Sequence, residues 1–167
     1  MQKAVENSGG VYFVPAFSGL ATPFWDQYAR AMFIGITGGT TRAHMVRSVL
    51  ESIAYQVAYC YDIMCEAYGK RGSVMRADGG PVENGFLMQL QSDMLGIPIE
   101  IPDEKETAAY GSACAAGLVT GALSEINDVR KFVTLKNVYE PHMSHEESRE
   151  RLSKWLKAVE RCRGWEE

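Results

Sequence analysis

The sequence has few of the residues that build metal sites and lacks the best-known nucleotide-binding motifs. It contains four cysteines, none in a CxxC pair, and three histidines that are not spaced with them. Zinc sites need such spacing, so the cysteines are predicted to be free, buried thiols in a reducing compartment. Neither GxxxxGK[ST] nor GxGxxG occurs, which excludes a P-loop and the dinucleotide-binding fingerprint.

Long apolar runs and clustered positive charge are also missing. No window approaches the ~20 apolar residues of a membrane span, and the first ten residues lack the apolar core of a signal peptide. The net charge is −4, with 17 lysines and arginines scattered along the chain. Domains that bind nucleic acid usually gather such residues on one face. We therefore expect a cytoplasmic protein that binds neither nucleic acid nor membrane.

What is present suits one globular domain with alternating strands and helices. The chain has 167 residues, of which 46% are hydrophobic, enough to bury a core. Apolar and β-branched runs predict strands at 11–17, 31–36 (a buried strand), 73–77 and 97–101. Apolar spacing of three and four residues predicts helices at about 41–67, 81–95, 107–123, 125–132 and 146–163. This alternation predicts an α/β fold with a mostly parallel sheet flanked by helices.

Several side chains on these elements have structural interpretations. His44 stands in the first turns of the first helix, where packing or capping is the preferred role. Arg47 and Arg149 are interpreted as surface charges. Trp25 and Trp155 are interpreted as aromatics of the core or of an interface.

The stretch "RADGGPVENGFLM" places two glycines between a short strand and a helix. Gly79 and Gly80 allow close approach to the backbone, and the helix start that follows offers unpaired N–H groups. Asn84 lies near that start and can hydrogen-bond through its amide, while Asp78 at the strand end is expected to anchor the loop. A short glycine motif has low specificity. A tight turn and a nucleotide site therefore both remain open interpretations.

Four stretches in this order resemble the FGGY carbohydrate kinases. They are "VYFVPAFSGLATPFWDQYAR", "AMFIGITGGTTRAHMVRSVLESIAYQ", "ADGGPVENGFLMQLQSDMLGIPIE" and "ETAAYGSACAAGL". The resemblance implies part of an actin/hexokinase/Hsp70-like (ribonuclease H-like) ATPase domain, with 1–167 as an incomplete C-terminal nucleotide-binding domain. It also implies ATP-dependent phosphorylation of a polyol or sugar hydroxyl with magnesium. In that family the glycine loop and a following Asn hold the nucleotide, which implies Gly79, Gly80 and Asn84 here.

Other parts of the family pattern are absent from this sequence. The family's catalytic aspartate lies in a "GDQ" segment, which is expected ahead of residue 1 together with a threonine-glycine hairpin and the N-terminal kinase domain. No catalytic residue or metal ligand is therefore assigned to this chain, and Gly85 replaces a second Asn of the family. The alternatives are a kinase of another polyol or of a ketopentose, or a non-catalytic nucleotide-binding or interaction module. An apolar patch and self-association into a homo-oligomer are expected.

Overall fold

The computed structural model describes residues 5–104, 107–130 and 133–166. Five α-helices are found in this part of the chain. They are α1 (Arg42–Tyr68), α2 (Gly85–Leu95), α3 (Thr107–Thr120), α4 (Ile126–Arg130) and α5 (His145–Cys162). The predicted helices are confirmed, including the stops at Gly69 and Gly96. His44 acts as a cap, because its Nδ1 accepts the backbone N–H of Thr41 at 3.1 Å.

Within the described residues, five short strands form two small sheets. β1 (Tyr12–Val14) pairs antiparallel with β2 (Met32–Ile34). The second sheet has the order β3 (Met75–Arg76), β4 (Ile99–Pro102), β5 (Leu135–Tyr139). β3 runs parallel to β4, whereas β5 runs antiparallel to it. The mixed α/β class is confirmed, while the described strands pair in parallel less often than expected, and β5 was not predicted.

The core lies where α1, α2 and α5 pack against β1 and β4. Trp155 of α5 is 1% exposed, and its indole N–H donates to the carbonyl oxygen of Phe13 at 3.0 Å. Its ring also packs against Tyr55 of α1, with the ring centroids 6.2 Å apart. The prediction of Trp155 as a core aromatic is confirmed. This side chain joins α5 to both the first helix and the first sheet.

Helix α1 buries a different face from the one that its aliphatic spacing indicates. The buried residues include Ser48, Glu51 and Tyr55, whereas Ile53 and Val57 are 40% and 37% exposed. The hydroxyls of Ser48 and Ser52 donate to carbonyl oxygens of the preceding turn, so burial leaves neither hydroxyl unsatisfied. The predicted apolar face of α1 is therefore partly on the surface.

Further expectations about the burial of side chains are met only in part. The segment around β2 was predicted to be buried, but Ile34 and Ile36 are 37% and 55% exposed. Trp25 is 76% exposed and does not belong to the core, although an interface role remains a prediction. The four cysteines are free thiols, as predicted, but only Cys162 is buried, whereas Cys60, Cys65 and Cys114 are half-buried. Within the described ranges, none of the helices has the length and apolar content that a bilayer crossing requires.

Candidate functional site

The glycine loop lies at the carboxyl ends of the two parallel strands. β3 leads into Asp78 and Gly79, and a 3-10 turn then spans Gly80–Glu83. The N–H of Ala77 donates to the carbonyl oxygen of Glu100 at 3.1 Å, which extends the strand pairing up to the loop. Ligands in open α/β sheets bind outside this edge. The sequence-predicted position of the loop is confirmed.

A cavity of about 330 Å³ opens beside this loop. Its walls come from the loop, the 3-10 turn, the end of β4 and the start of β5. The described lining residues are Asp78, Gly79, Gly80, Val82, Glu83, Ile101, Pro102, Glu104 and Lys136. This volume falls at the lower end of the range of small-molecule sites, roughly 300–1,000 Å³. The cavity can therefore hold part of a nucleotide, such as its nucleoside.

The two glycines have different roles in the loop. Gly79 has φ +85°, a left-handed conformation that favours glycine over other residues. Gly80 does not have a positive φ, and a β-carbon built on it meets no atom within 4 Å. Gly79 is therefore required by the turn itself. Gly80 lies at the cavity wall, with open space at the position that a β-carbon would take.

Asn84 is positioned as the N-cap of α2. Its side-chain oxygen accepts the N–H of Leu87 at 3.3 Å. This contact satisfies one of the otherwise unpaired N–H groups of the helix start. Asn84 is not among the described residues that line the cavity. The structure thus brings Gly79 and Gly80 together at the cavity and places Asn84 beyond it, at the start of the next helix.

Asp78 anchors the loop, as predicted. Its carboxylate accepts a hydrogen bond from the hydroxyl of Thr107, the first residue of α3. Among its described residues α3 has no buried side chain, so its small side chains do not pack tightly against the rest of this chain.

Arg47 contacts the helix that follows the loop, and its prediction as a surface charge was wrong. The guanidinium forms an ion pair with Glu51, with Nε 2.9 Å from Oε1, and both side chains are nearly buried. It also lies 4.4 Å from the ring centroid of Phe86, in the first turn of α2. Arg47 therefore ties α1 to the helix start that follows the glycine loop. Arg149, also predicted as a surface charge, is half-buried and pairs with Asp62.

Except for Asp78, the charged residues described in the cavity wall were not found from the sequence. Glu83, Glu104 and Lys136 have no motif around them, and Lys136 lies on β5, where the apolar residues show no clear alternation. Antiparallel pairing of Pro102 with Leu135 brings the start of β5 to the edge where β4 ends. Among the described residues, no group of three or more His, Cys, Asp or Glu side chains could hold a metal ion.

A glycine loop at the end of a parallel strand pair, beside a cavity of this size, is typical of a nucleotide-binding domain. The family described as "FGGY family of carbohydrate kinases, C-terminal domain" matches residues 1–119. The chain belongs to the FGGY family of carbohydrate kinases.

Curated glycerol kinases are similar to this chain over nearly its whole length. Glycerol kinase 2 of Thermotoga maritima is 48% identical over 97% of this chain and 33% of its own length. Glycerol kinase of Pseudothermotoga lettingae is 47% identical over 100% of this chain and 34% of its own length. The chain thus spans about a third of the length of these relatives.

Solved structures agree with this assignment. The crystal structure of Plasmodium falciparum glycerol kinase with ADP matches with a TM-score of 0.91 and 37% identity, covering 96% of this chain and 32% of that protein. A xylulose kinase from Lactobacillus acidophilus has a TM-score of 0.77 at 22% identity over 96% of this chain and 32% of its own, which shows the fold alone. The fold is therefore part of the ribonuclease H-like ATPase domain of these kinases.

Proposed function

We propose that this chain is the ATP-binding C-terminal portion of a glycerol kinase-like carbohydrate kinase. In the complete enzyme, the γ-phosphate of ATP would be transferred to a hydroxyl of glycerol or a related polyol. The observation that carries the proposal is the cavity beside Gly79 and Gly80 at the carboxyl ends of β3 and β4. The relatives that are glycerol kinases favour glycerol as the substrate.

The residues present fit a bound nucleotide. Open space at Gly80 allows the ligand to lie against the backbone, and Val82, Ile101 and Pro102 offer an apolar surface for a base. We propose that magnesium binds together with ATP, because this ion is usually held by substrate phosphates and one or two carboxylates. A cytoplasmic location remains a prediction.

The alignment of hydroxyl, phosphate and metal requires groups that we expect on the N-terminal kinase domain. The purified 167-residue chain is therefore expected to show no glycerol-dependent ATP turnover. The measurement is a coupled ADP-release assay with and without glycerol. Steady turnover by the chain alone would contradict the assignment of the catalytic groups to another domain.

A chimera supplies the matched test of the proposed function. In it, this chain replaces the corresponding third of Thermotoga maritima glycerol kinase 2, with the parent enzyme as control. The folded chimera is expected to phosphorylate glycerol and to lose this activity without ATP or magnesium. A folded chimera that binds glycerol but no ATP would refute the nucleotide assignment.

Asn84→Ala is expected to weaken ATP binding by up to about tenfold, because one net hydrogen bond is worth roughly 0.5–1.5 kcal/mol. It is also expected to destabilise the chain, since removal of an N-cap costs about 0.5–2 kcal/mol. Asn84→Asp keeps the cap and serves as the control. ATP titration and urea unfolding of both variants separate the two effects. Unchanged ATP binding by a folded Asn84→Ala variant would limit this residue to capping.

Two alternatives to the proposed function can be tested by experiment. Structural neighbours include xylulose kinases, so a ketopentose substrate is the alternative inside the family. A non-catalytic nucleotide-binding or interaction module is the alternative outside it. Turnover by the chimera argues against the non-catalytic module, whereas a panel of polyols and ketopentoses tested on the complete enzyme distinguishes the substrates.

Self-association is a further part of the proposal. On α1, an apolar stripe consists of Ile53, Val57, Met64 and Tyr68, of which the last two are 67% and 82% exposed. Exposed apolar patches of this kind often mark interfaces. The purified chain is therefore expected to sediment as dimers or larger species, and Met64→Lys with Tyr68→Lys is expected to shift it toward monomers. Val119→Lys, at an exposed position of α3, is the control. A monomeric parent at all concentrations would contradict the expectation.

A further inference from the structure

An ion pair joins two walls of the cavity. Nζ of Lys136 lies 3.1 Å from Oε1 and 3.4 Å from Oε2 of Glu83. Glu83 ends the 3-10 turn that begins at Gly80, whereas Lys136 is the second residue of β5. The two residues therefore come from segments far apart in the sequence, and a ligand in the cavity lies within reach of both.

The pair contributes little to the stability of the fold. The side chain of Glu83 is 57% exposed and that of Lys136 is 37% exposed. Ion pairs in such exposed positions contribute little, because water screens both charges and ordering two long side chains costs entropy. A role in ligand recognition explains their position at the cavity better than a role in folding.

The side chains of the cavity wall suit some parts of a nucleotide better than others. Phosphates bring negative charge and hydrogen-bond acceptors, so the carboxylates of Asp78 and Glu83 disfavour them inside the cavity. Ribose brings two hydroxyl donors, which a carboxylate accepts well, and hydrogen bonds to charged groups are the stronger ones. The apolar side chains of Val82 and Ile101 suit the face of the base. The carboxylate of Glu83 therefore matches the hydroxyls of the sugar and not the phosphates.

We propose that Glu83 accepts hydrogen bonds from the ribose hydroxyls of the bound nucleotide and that Lys136 holds the Glu83 carboxylate in place. Glu83 is then a specificity-determining residue that favours ribonucleotides, and Lys136 is a positioning residue that acts through it. The inference rests on the proposed function, because it assumes that the cavity binds the nucleoside end of ATP.

The experiment titrates ADP and 2′,3′-dideoxy-ADP into the complete ¹⁵N-labelled 167-residue chain and follows the amide signals of Gly79 and Gly80. The parent is expected to prefer ADP by about tenfold or more, as loss of a hydrogen bond to a charged group predicts. Glu83→Met is expected to bind both ligands with nearly equal affinity. Lys136→Met is expected to reduce the preference, and Lys136→Arg is expected to restore it.

Glu150→Met is the matched control. It breaks another exposed carboxylate–lysine pair, in which Nζ of Lys154 lies 2.6 Å from Oε1 of Glu150 on α5. This control is expected to keep the preference of the parent, and the amide spectra show whether each variant is folded. A parent that binds ADP and its dideoxy analogue equally, or a folded Glu83→Met variant that keeps the preference, overturns the inference. A parent that binds neither ligand overturns the proposed function itself.

Discussion

Replacing Gly80 by valine is expected to abolish nucleotide binding while the fold remains intact. Gly80 lines the cavity, has no positive φ, and has open space where a β-carbon would lie. The backbone therefore tolerates a side chain, but the added isopropyl group would take the place of the ligand. Calorimetric titration of ATP into the variant chimera measures the loss, and circular dichroism reports the fold.

Two controls separate this effect from a general disturbance of the loop. Gly79→Val places a β-branched residue at φ +85°, so it is expected to destabilise the turn as well as to reduce binding. Ser153→Val, at an exposed position of α5, is expected to change neither property. If folded Gly80→Val binds ATP like its parent while Ser153→Val behaves normally, the glycine loop is a turn only.

Replacing Trp155 by alanine is expected to have the largest effect on stability. Truncation of a buried aromatic residue costs about 3–5 kcal/mol through lost burial and the cavity left behind. In this chain it also leaves the carbonyl oxygen of Phe13 without its indole donor. Because total stability of a domain is typically only about 5–15 kcal/mol, the variant is expected to be partly unfolded at 37 °C. Urea unfolding followed by circular dichroism gives the free energy of unfolding.

Trp165→Ala is the matched control, since this indole is 71% exposed. Its removal is expected to change the free energy of unfolding by less than about 0.5 kcal/mol. Equal losses in the two variants would show that α5 does not join the first sheet to α1 as described. An unchanged midpoint for Trp155→Ala would contradict the packing of the core.

Local signals in the sequence predicted the helices well and the sheets only in part. α2 and α5 bury the residues that their periodicity indicates, such as Leu90, Met94 and Val159. The strands are short, and the partner of each lies far away in the sequence, so their direction and pairing leave little local trace. β5 was not predicted for this reason, and only its pairing with β4 reveals it.

In the candidate site, too, local features could be predicted from the sequence and tertiary contacts could not. The position of Gly79 and Gly80 after a strand and before a helix could be predicted, because turn chemistry is local. The capping role of Asn84 was less clear, because a 3-10 turn separates it from the strand. Glu83 and Lys136 meet only through the tertiary fold, so no spacing in the sequence could indicate their contact.

The sequence by itself determined the helices, the glycine loop and, through four ordered stretches, the resemblance to the FGGY kinases. These features depend on neighbouring residues and on motif order, both of which are written in the chain. Only the tertiary structure decided which face of α1 is buried, that Arg47 lies against Phe86, and that β5 completes the cavity wall. Such contacts join distant segments, and their free energy depends on what the whole fold brings within a few ångströms.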